Sequence, residues 1–242
     1  GEHPSFAEVN GVPAISYYDI VNKDLKFVRA AADSPFGDTW ETPVVLDDSG
    51  FVGTHSTLIV TAGNPAVAFF DESSEAVKFL RATDSLGDTW PPAASVVNTT
   101  GSTDGFLSAA TIDGVPTVAY VQNQGGSSAV MFSRGDAAAG ESWGPASVVA
   151  TVDAQYLSLA DVDGRPAIAF YASSSRDLVY VSASSASGDT WNTPVTVAST
   201  GDSGAYASLA AVDGLPAILY RALLQATYVR AVDADGAAWG TP

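Results

Sequence analysis

Cysteine is absent from this chain of 242 residues, methionine occurs once, and only ten lysines and arginines stand against 27 aspartates and glutamates. The lack of cysteine excludes disulfide bridges, thiolate metal sites and thiol nucleophiles. A formal net charge of −17 excludes the basic surface that nucleic acid requires, and an anionic membrane face repels it as well. No run of 18 apolar residues occurs, so we expect no insertion into a membrane.

Glycine and proline are plentiful instead, and they mark an internal repeat. The motif Gly-x-Pro occurs in five copies, which begin at Gly11, Gly63, Gly114, Gly164 and Gly214. One tryptophan follows in each copy, at Trp40, Trp90, Trp143, Trp191 and Trp239. A period of about 50 residues indicates a repeat architecture, in which each copy is one supersecondary unit.

Each copy contains four short segments with the residue types of β-strands. In the fourth copy they are 156–162, 166–171, 178–182 and 194–198, separated by turn residues. Four antiparallel strands per copy are typical of one propeller blade, because a ring of blades buries both faces of every such sheet. We therefore predict an all-β, single-domain, five-bladed β-propeller with blades at approximately 1–50, 51–101, 102–151, 152–201 and 202–242.

The fifth copy stops before its fourth strand. It ends at Trp239-Gly240-Thr241-Pro242, whereas the fourth copy continues into Pro194-Val195-Thr196-Val197. The sequence thus predicts a fifth blade without its outer strand. Three explanations fit this pattern: a truncated chain, a fragment of a larger ring, or an open edge that pairs with another molecule. The third would allow self-association through the fifth blade.

A recurring hairpin precedes each tryptophan, as in Asp33…Gly37-Asp38-Thr39-Trp40 and Asp84…Gly87-Asp88-Thr89-Trp90. It resembles the Asp-box repeat of sialidase-like propellers, although the aspartate here lies three or four residues before the glycine. The resemblance implies a structural role, in which the aspartate caps the turn and the tryptophan packs between blades. It also implies that this face is opposite the active site.

When the copies are aligned on the glycine of Gly-x-Pro, one position holds an aromatic or imidazole ring in all five. Eight residues before this glycine stand His3, His55, Phe106, Tyr156 and Tyr206. The first strand of a blade starts at the end where its second strand stops, so we predict that these rings surround one mouth of the central channel. Tyr18 and Tyr171, near the ends of second strands, could stack on a sugar at the same mouth.

Two aspartates share a spacing with the histidines. Asp19 lies 16 residues after His3, and Asp71 lies 16 residues after His55. An imidazole beside a carboxylate could hold a divalent cation such as calcium, or orient a sugar hydroxyl. No other cofactor is expected.

Polar residues of the first strands are candidates for lining the channel. Six residues before the glycine every copy has a hydroxyl, on Ser5, Thr57, Ser108, Ser158 and Ser208. Three residues before it, Glu8 and Asp161 are carboxylates. Glycoside hydrolysis requires two carboxylates roughly 5 to 10 Å apart, and these two form the candidate pair. The five-bladed furanosidase-type glycosidases, which this architecture resembles, usually have a third acidic residue, and none is evident.

The regular repeats favour a non-catalytic, lectin-like propeller, in which several grooves bind carbohydrate or another extracellular ligand and avidity multiplies the affinity. We expect such a protein to be secreted or exposed at the cell surface. Two alternatives remain open: a structural or interaction module of a larger cell-surface protein, and a glycoside hydrolase with its site at the channel mouth.

Overall fold

The computed structural model describes residues 1–31, 33–34, 36–98 and 103–241. They form five antiparallel sheets, four of four strands and one of three. In chain order the strands are β1 (Glu2–Val9), β2 (Val12–Asp19), β3 (Asp24–Arg29), β4 (Val44–Asp47), β5 (Val52–Thr61), β6 (Asn64–Asp71), β7 (Ala76–Arg81), β8 (Ser95–Asn98), β9 (Thr103–Ile112), β10 (Val115–Asn123), β11 (Ser128–Arg134), β12 (Ser147–Thr151), β13 (Ala154–Val162), β14 (Arg165–Ala172), β15 (Asp177–Ser182), β16 (Val195–Ala198), β17 (Ser203–Val212), β18 (Leu215–Ala222) and β19 (Gln225–Arg230).

The architecture is a five-bladed β-propeller. Blade one is β1–β4, blade two β5–β8, blade three β9–β12, blade four β13–β16 and blade five β17–β19. The first strands of successive blades pack against one another around the centre. In the part of the chain that the structure describes, blade five has three strands and no fourth, as the sequence predicts. The predicted boundary between blades two and three, at 101/102, lies outside the described residues.

The Gly-x-Pro repeat builds the first hairpin of every blade. Asn10 and Gly11 both have positive φ, at 53° and 82°, between the paired residues Val9 and Val12. Two such residues form the tight turn whose twist matches that of antiparallel strands. The proline follows near the start of the second strand. Proline has no backbone N–H to donate to the sheet, and a strand tolerates this near its first residue.

Neighbouring blades are joined by a repeated aromatic contact. The ring of Phe27 on β3 lies 5.3 Å from that of Trp90 in blade two, and Phe79 lies 5.2 Å from Trp143 in blade three. A Cβ on Gly87, whose φ is 77°, would stand 2.7 Å from the Phe27 ring. Glycine is therefore required in this hairpin for the aromatic side chain of the preceding blade to fit.

The aspartate of the hairpin caps its turn. Asp84 accepts hydrogen bonds from the backbone N–H groups of Leu86, Asp88 and Thr89. Asp233 accepts two in the same way, and in blade one the hydroxyl of Ser34 accepts from Thr39 instead. These are the roles that the Asp-box resemblance implies, but a relationship to Asp-box repeats stays an interpretation of the sequence.

The ring of blades is open between blades five and one. Phe6 on β1 is 67% exposed, whereas Leu58 at the same register of blade two is 4% exposed. Tyr228 on β19 is 52% exposed, whereas its counterpart Phe79 is 1% exposed. Among the described residues, β17 and β1 do not pack together as the other pairs of first strands do. We call the facing surfaces of blades one and five, which carry Phe6 and Tyr228, the seam.

No helix in the described part of the chain could cross a membrane.

Candidate functional site

Five rings form a continuous series at one end of the channel. The ring centroids of His3 and His55 are 4.2 Å apart, those of His55 and Phe106 are 5.1 Å apart, and those of Phe106 and Tyr156 are 5.3 Å apart. Tyr156 continues to Tyr206 at 4.3 Å. We call these five residues the aromatic mouth. The structure thus brings together the rings that the repeat alignment selected.

A β-bulge aims most of these rings. The register between first and second strands shifts at Glu2/Ser5 in blade one and at Gln155/Ser158 in blade four. His3, His55, Tyr156 and Tyr206 lie in such shifts and have φ values of 49°, 52°, 53° and 57°. Positive φ is costly for residues other than glycine, and bulges re-aim side chains. A strained conformation repeated in four blades indicates that ring placement at the mouth matters.

Burial and a hydrogen bond shift the pKa values of two residues of the mouth, His55 and Tyr156. Burial, and to a smaller extent the neighbouring His3, lower the pKa of His55 to about 4. The pKa of Tyr156 is raised by its hydrogen bond with Tyr206 and by burial. At neutral pH His55 and Tyr156 are therefore uncharged, which suits a surface that stacks on sugar rings.

Carboxylates stand beside the mouth around Tyr18. Tyr18 pairs with Glu2 across β1 and β2. Burial raises the pKa of Tyr18, and the negative charges of Glu72 and Glu2 raise it further. Both carboxylates are exposed and belong to adjacent blades. Asp19 and Asp24 act on Tyr18 in the same direction with smaller effect, so several negative charges surround one buried phenol at the end of the channel that holds the aromatic mouth.

Asp19 and Asp71 serve their own hairpins. Asp71 is buried, accepts hydrogen bonds from the backbone of Ser73 and Ser74, and is paired with Lys78. Asp19 makes the equivalent ion pair with Lys26. No hydrogen bond or ion pair joins either aspartate to a histidine among the described residues. In the same part of the chain no three His, Asp or Glu side chains lie close enough to hold a metal ion. Calcium binding stays a prediction.

The hydroxyl register holds neighbouring blades together. Ser5 accepts a hydrogen bond from the backbone N–H of Leu58, and Ser108 accepts one from Leu159. Ser158 accepts one from Leu209. Thr57 and Ser208 occupy the same register, and Ser208 is exposed because it faces the seam. These side chains therefore face the next blade.

Glu8 and Asp161 lie at the opposite end of the channel from the aromatic mouth. Glu8 pairs with Pro13 and Asp161 with Pro166, beside the Gly-x-Pro turns, and both are exposed. The residues at the mouth that the sequence alignment missed include Glu2, Glu72, Asp202 and Arg221. Glu2 directly precedes the ring register, and that adjacency could have suggested it.

Across the mouth, blades four and five contribute a polar group. Tyr171 donates a hydrogen bond of 2.7 Å to Asp202, and its ring lies 6.3 Å from that of Tyr156. The guanidinium of Arg221 lies over the ring of Tyr206 at 5.2 Å. The mouth is therefore acidic beside blades one and two, and carries a cation at blade five.

Comparison with known proteins gives matches among solved structures only. No family model matches the chain, and no curated protein matches it. A thermostable family-43 glycoside hydrolase is similar over 99% of this chain and 92% of its own, with 13% identity and a TM-score of 0.60. An exo-β-1,3-galactanase from Phanerochaete chrysosporium, with galactose, is similar over 98% of this chain and 61% of its own, with 12% identity and a TM-score of 0.60. An endo-1,4-β-xylanase from Bacteroides thetaiotaomicron is similar over 99% of this chain and 94% of its own, with 10% identity and a TM-score of 0.56.

The shared property is the fold. It is the five-bladed propeller of these glycoside hydrolases. The comparison contradicts the predicted main function, a non-catalytic lectin-like propeller, because the structures similar over nearly the whole chain are hydrolases of glycosides. The alternative of a glycoside hydrolase agrees better with it. A relation to carbohydrate is common to both, and one similar galactanase structure contains β-1,3-galactotriose.

Proposed function

We propose that this protein is a glycoside hydrolase whose substrate lies across the aromatic mouth. The observation that carries the proposal is that Glu2, paired with Tyr18 across β1 and β2, and Glu72, in the turn after β6 of the next blade, both act with their charge on Tyr18 at that end of the channel. Similar structures named as galactanase and xylanase support it. The substrate class proposed is a polysaccharide such as arabinan, galactan or xylan, after the names of similar structures.

The proposed chemistry uses the two carboxylates in different roles. One carboxyl group protonates the glycosidic oxygen as that bond breaks, and the other activates a water or attacks the anomeric carbon. The rings of the mouth hold the sugar by stacking while His55 remains neutral. Glu2 lies on β1 of blade one and Glu72 in the turn after β6 of blade two, so relative motion of the first two blades would change their separation.

The test is hydrolysis of arabinan, β-1,3-galactan and xylan by the purified chain, with reducing sugar as the readout, in calcium and in EDTA. Glu2→Gln and Glu72→Gln should each lower kcat by about 100-fold or more, the usual value of one acid or base. Glu8→Gln, on the same strand at the far end, and Glu75→Gln, in the same hairpin as Glu72, are matched controls that should retain activity. Equal losses in all four variants, or no hydrolysis of any substrate, would refute the proposal.

Two further parts of the proposal concern localisation and self-association. A polysaccharide substrate favours a secreted or surface-exposed protein. The free edge of β19 is an edge strand of the kind that pairs with another chain, and light scattering of the purified chain measures whether two copies associate.

A further inference from the structure

Arg221 occupies a position unlike its counterparts in the other blades. Seven residues after the glycine of Gly-x-Pro, the other copies have Tyr18, Phe70, Val121 and Tyr171. Only blade five places a cation in this register. Leu219 lies two residues earlier on β18 and is half exposed at the seam. Residues two apart on a strand lie on the same face, so Arg221 faces the seam where it meets the aromatic mouth.

The guanidinium of Arg221 has no carboxylate partner among the described residues. Arg29, Arg165 and Arg230 each pair with an aspartate. Arg221 takes part in no ion pair among the described residues, although the chain has 27 acidic residues. Its Nε is buried and has no hydrogen-bond partner within the described ranges. An unpaired buried donor costs free energy, so a bound acceptor would be favourable there.

The neighbours of Arg221 define what that acceptor can be. The Tyr206 ring lies beneath the guanidinium, and Tyr156 lies beside Tyr206. Asp202, at this side of the mouth, accepts a hydrogen bond from the hydroxyl of Tyr171. A flat cation beside two tyrosine rings provides a charged end and a stacking surface for one ligand.

We infer that Arg221 binds the carboxylate of an acidic sugar, a uronate, that enters the mouth through the seam. The planar guanidinium has the geometry to hold a carboxylate by two parallel N–H···O bonds. The sugar ring then lies on Tyr206 and Tyr156. The inference rests on the proposed function for the presence of a sugar at the mouth, and it adds the class of sugar: a polysaccharide that carries uronic acid residues.

The test measures binding, which does not depend on turnover. Titration calorimetry compares D-glucuronate with D-glucose, and D-galacturonate with D-galactose, on the purified chain. The unaltered chain should bind each uronate at least tenfold more tightly than the neutral sugar. Arg221→Gln should abolish that preference, and Arg221→Lys should keep part of it, because an ammonium retains the charge without the fork. Arg176→Gln, which removes a cation from a hairpin at the same end, is the matched control and should bind as the unaltered chain does.

Circular dichroism of each variant establishes that it is folded. An equal preference in the Arg221→Gln variant and the unaltered chain, or no preference for uronate in the unaltered chain, would overturn the inference. A preference for uronate that depends on Arg221, together with no hydrolysis of any polysaccharide, would support this inference while refuting the proposed function. Hydrolysis of neutral polysaccharide with no uronate preference would do the reverse.

Discussion

The imidazole rings of His3 and His55 stack across the boundary between blades one and two, with their centroids 4.2 Å apart. Two protonated imidazoles at this separation would repel each other. The stack is therefore compatible with the low pKa of His55, about 4, which burial produces and His3 reinforces.

The stability of the protein should fall as the pH drops from 6.5 to 4. The unfolded chain takes up a proton on His55 near pH 6.5, but the folded chain does so only near pH 4, so protons favour the unfolded state in this window. The full difference is at most about 3 kcal/mol, and partial exposure of the ring reduces it to ~2 kcal/mol. The His55→Phe variant carries the residue type that blade three has at this position, and its stability should lack this part of the pH dependence. Urea unfolding at pH 7.5, 5.5 and 4.5 measures it.

His3→Phe is the control for this experiment. It leaves His55 buried, and burial is the larger cause of the pKa shift, so most of the decline should remain. Parallel curves for the His55→Phe variant and the unaltered chain would contradict the expected role of His55.

Asp71→Asn should destabilise the protein by about 2 kcal/mol, because it leaves Lys78 without its partner beneath the hairpin. Burial opposes ionisation of Asp71, but the hydrogen bonds of Lys78 and Ser74 outweigh it, so the pKa of Asp71 is lowered. Thermal and urea unfolding measure the loss. The double variant Asp71→Asn, Lys78→Met should recover part of it, and a loss of sugar affinity at unchanged stability would instead place Asp71 in the binding site.

Truncation of the ring on β7 and truncation of its counterpart on β19 should change the stability by different amounts. Phe79→Ala removes a ring packed on Trp143 and should cost about 3 to 5 kcal/mol. Tyr228→Ala removes an exposed ring at the seam and should cost less than ~1 kcal/mol. Urea unfolding compares the two variants. Similar large losses would show that the seam is covered in solution, and light scattering would distinguish a second copy from closure of the ring.

The propeller could be predicted from the sequence because the same turn and strand residues recur in every blade. The pairs of turn residues with positive φ, such as Asn10 and Gly11, produce hairpins that need no tertiary information. The rings of the mouth were also predictable, because His3, His55 and Tyr156 share one register. Their φ values were not, since a bulge depends on how the whole sheet pairs.

Other features depend on contacts between blades or on direction within a hairpin. The spacing of Asp71 from His55 suggested a shared site. The carboxylate of Asp71 instead forms an ion pair with Lys78, seven residues later in the same hairpin. A lysine also stands seven residues after Asp19, so this pattern was present in the sequence. Glu72 lies in a hairpin whose sequence differs between the copies. Only the fold shows that its charge acts on Tyr18.

Across the described residues, the seam leaves five blades with four shared interfaces. In a closed ring every blade is supported from both sides, and loss of one blade weakens two others. Here the blades form a linear series, in which blades one and five each have one neighbour. Opening should therefore start at the two terminal blades and proceed inward, and amide hydrogen exchange should be slowest in blade three.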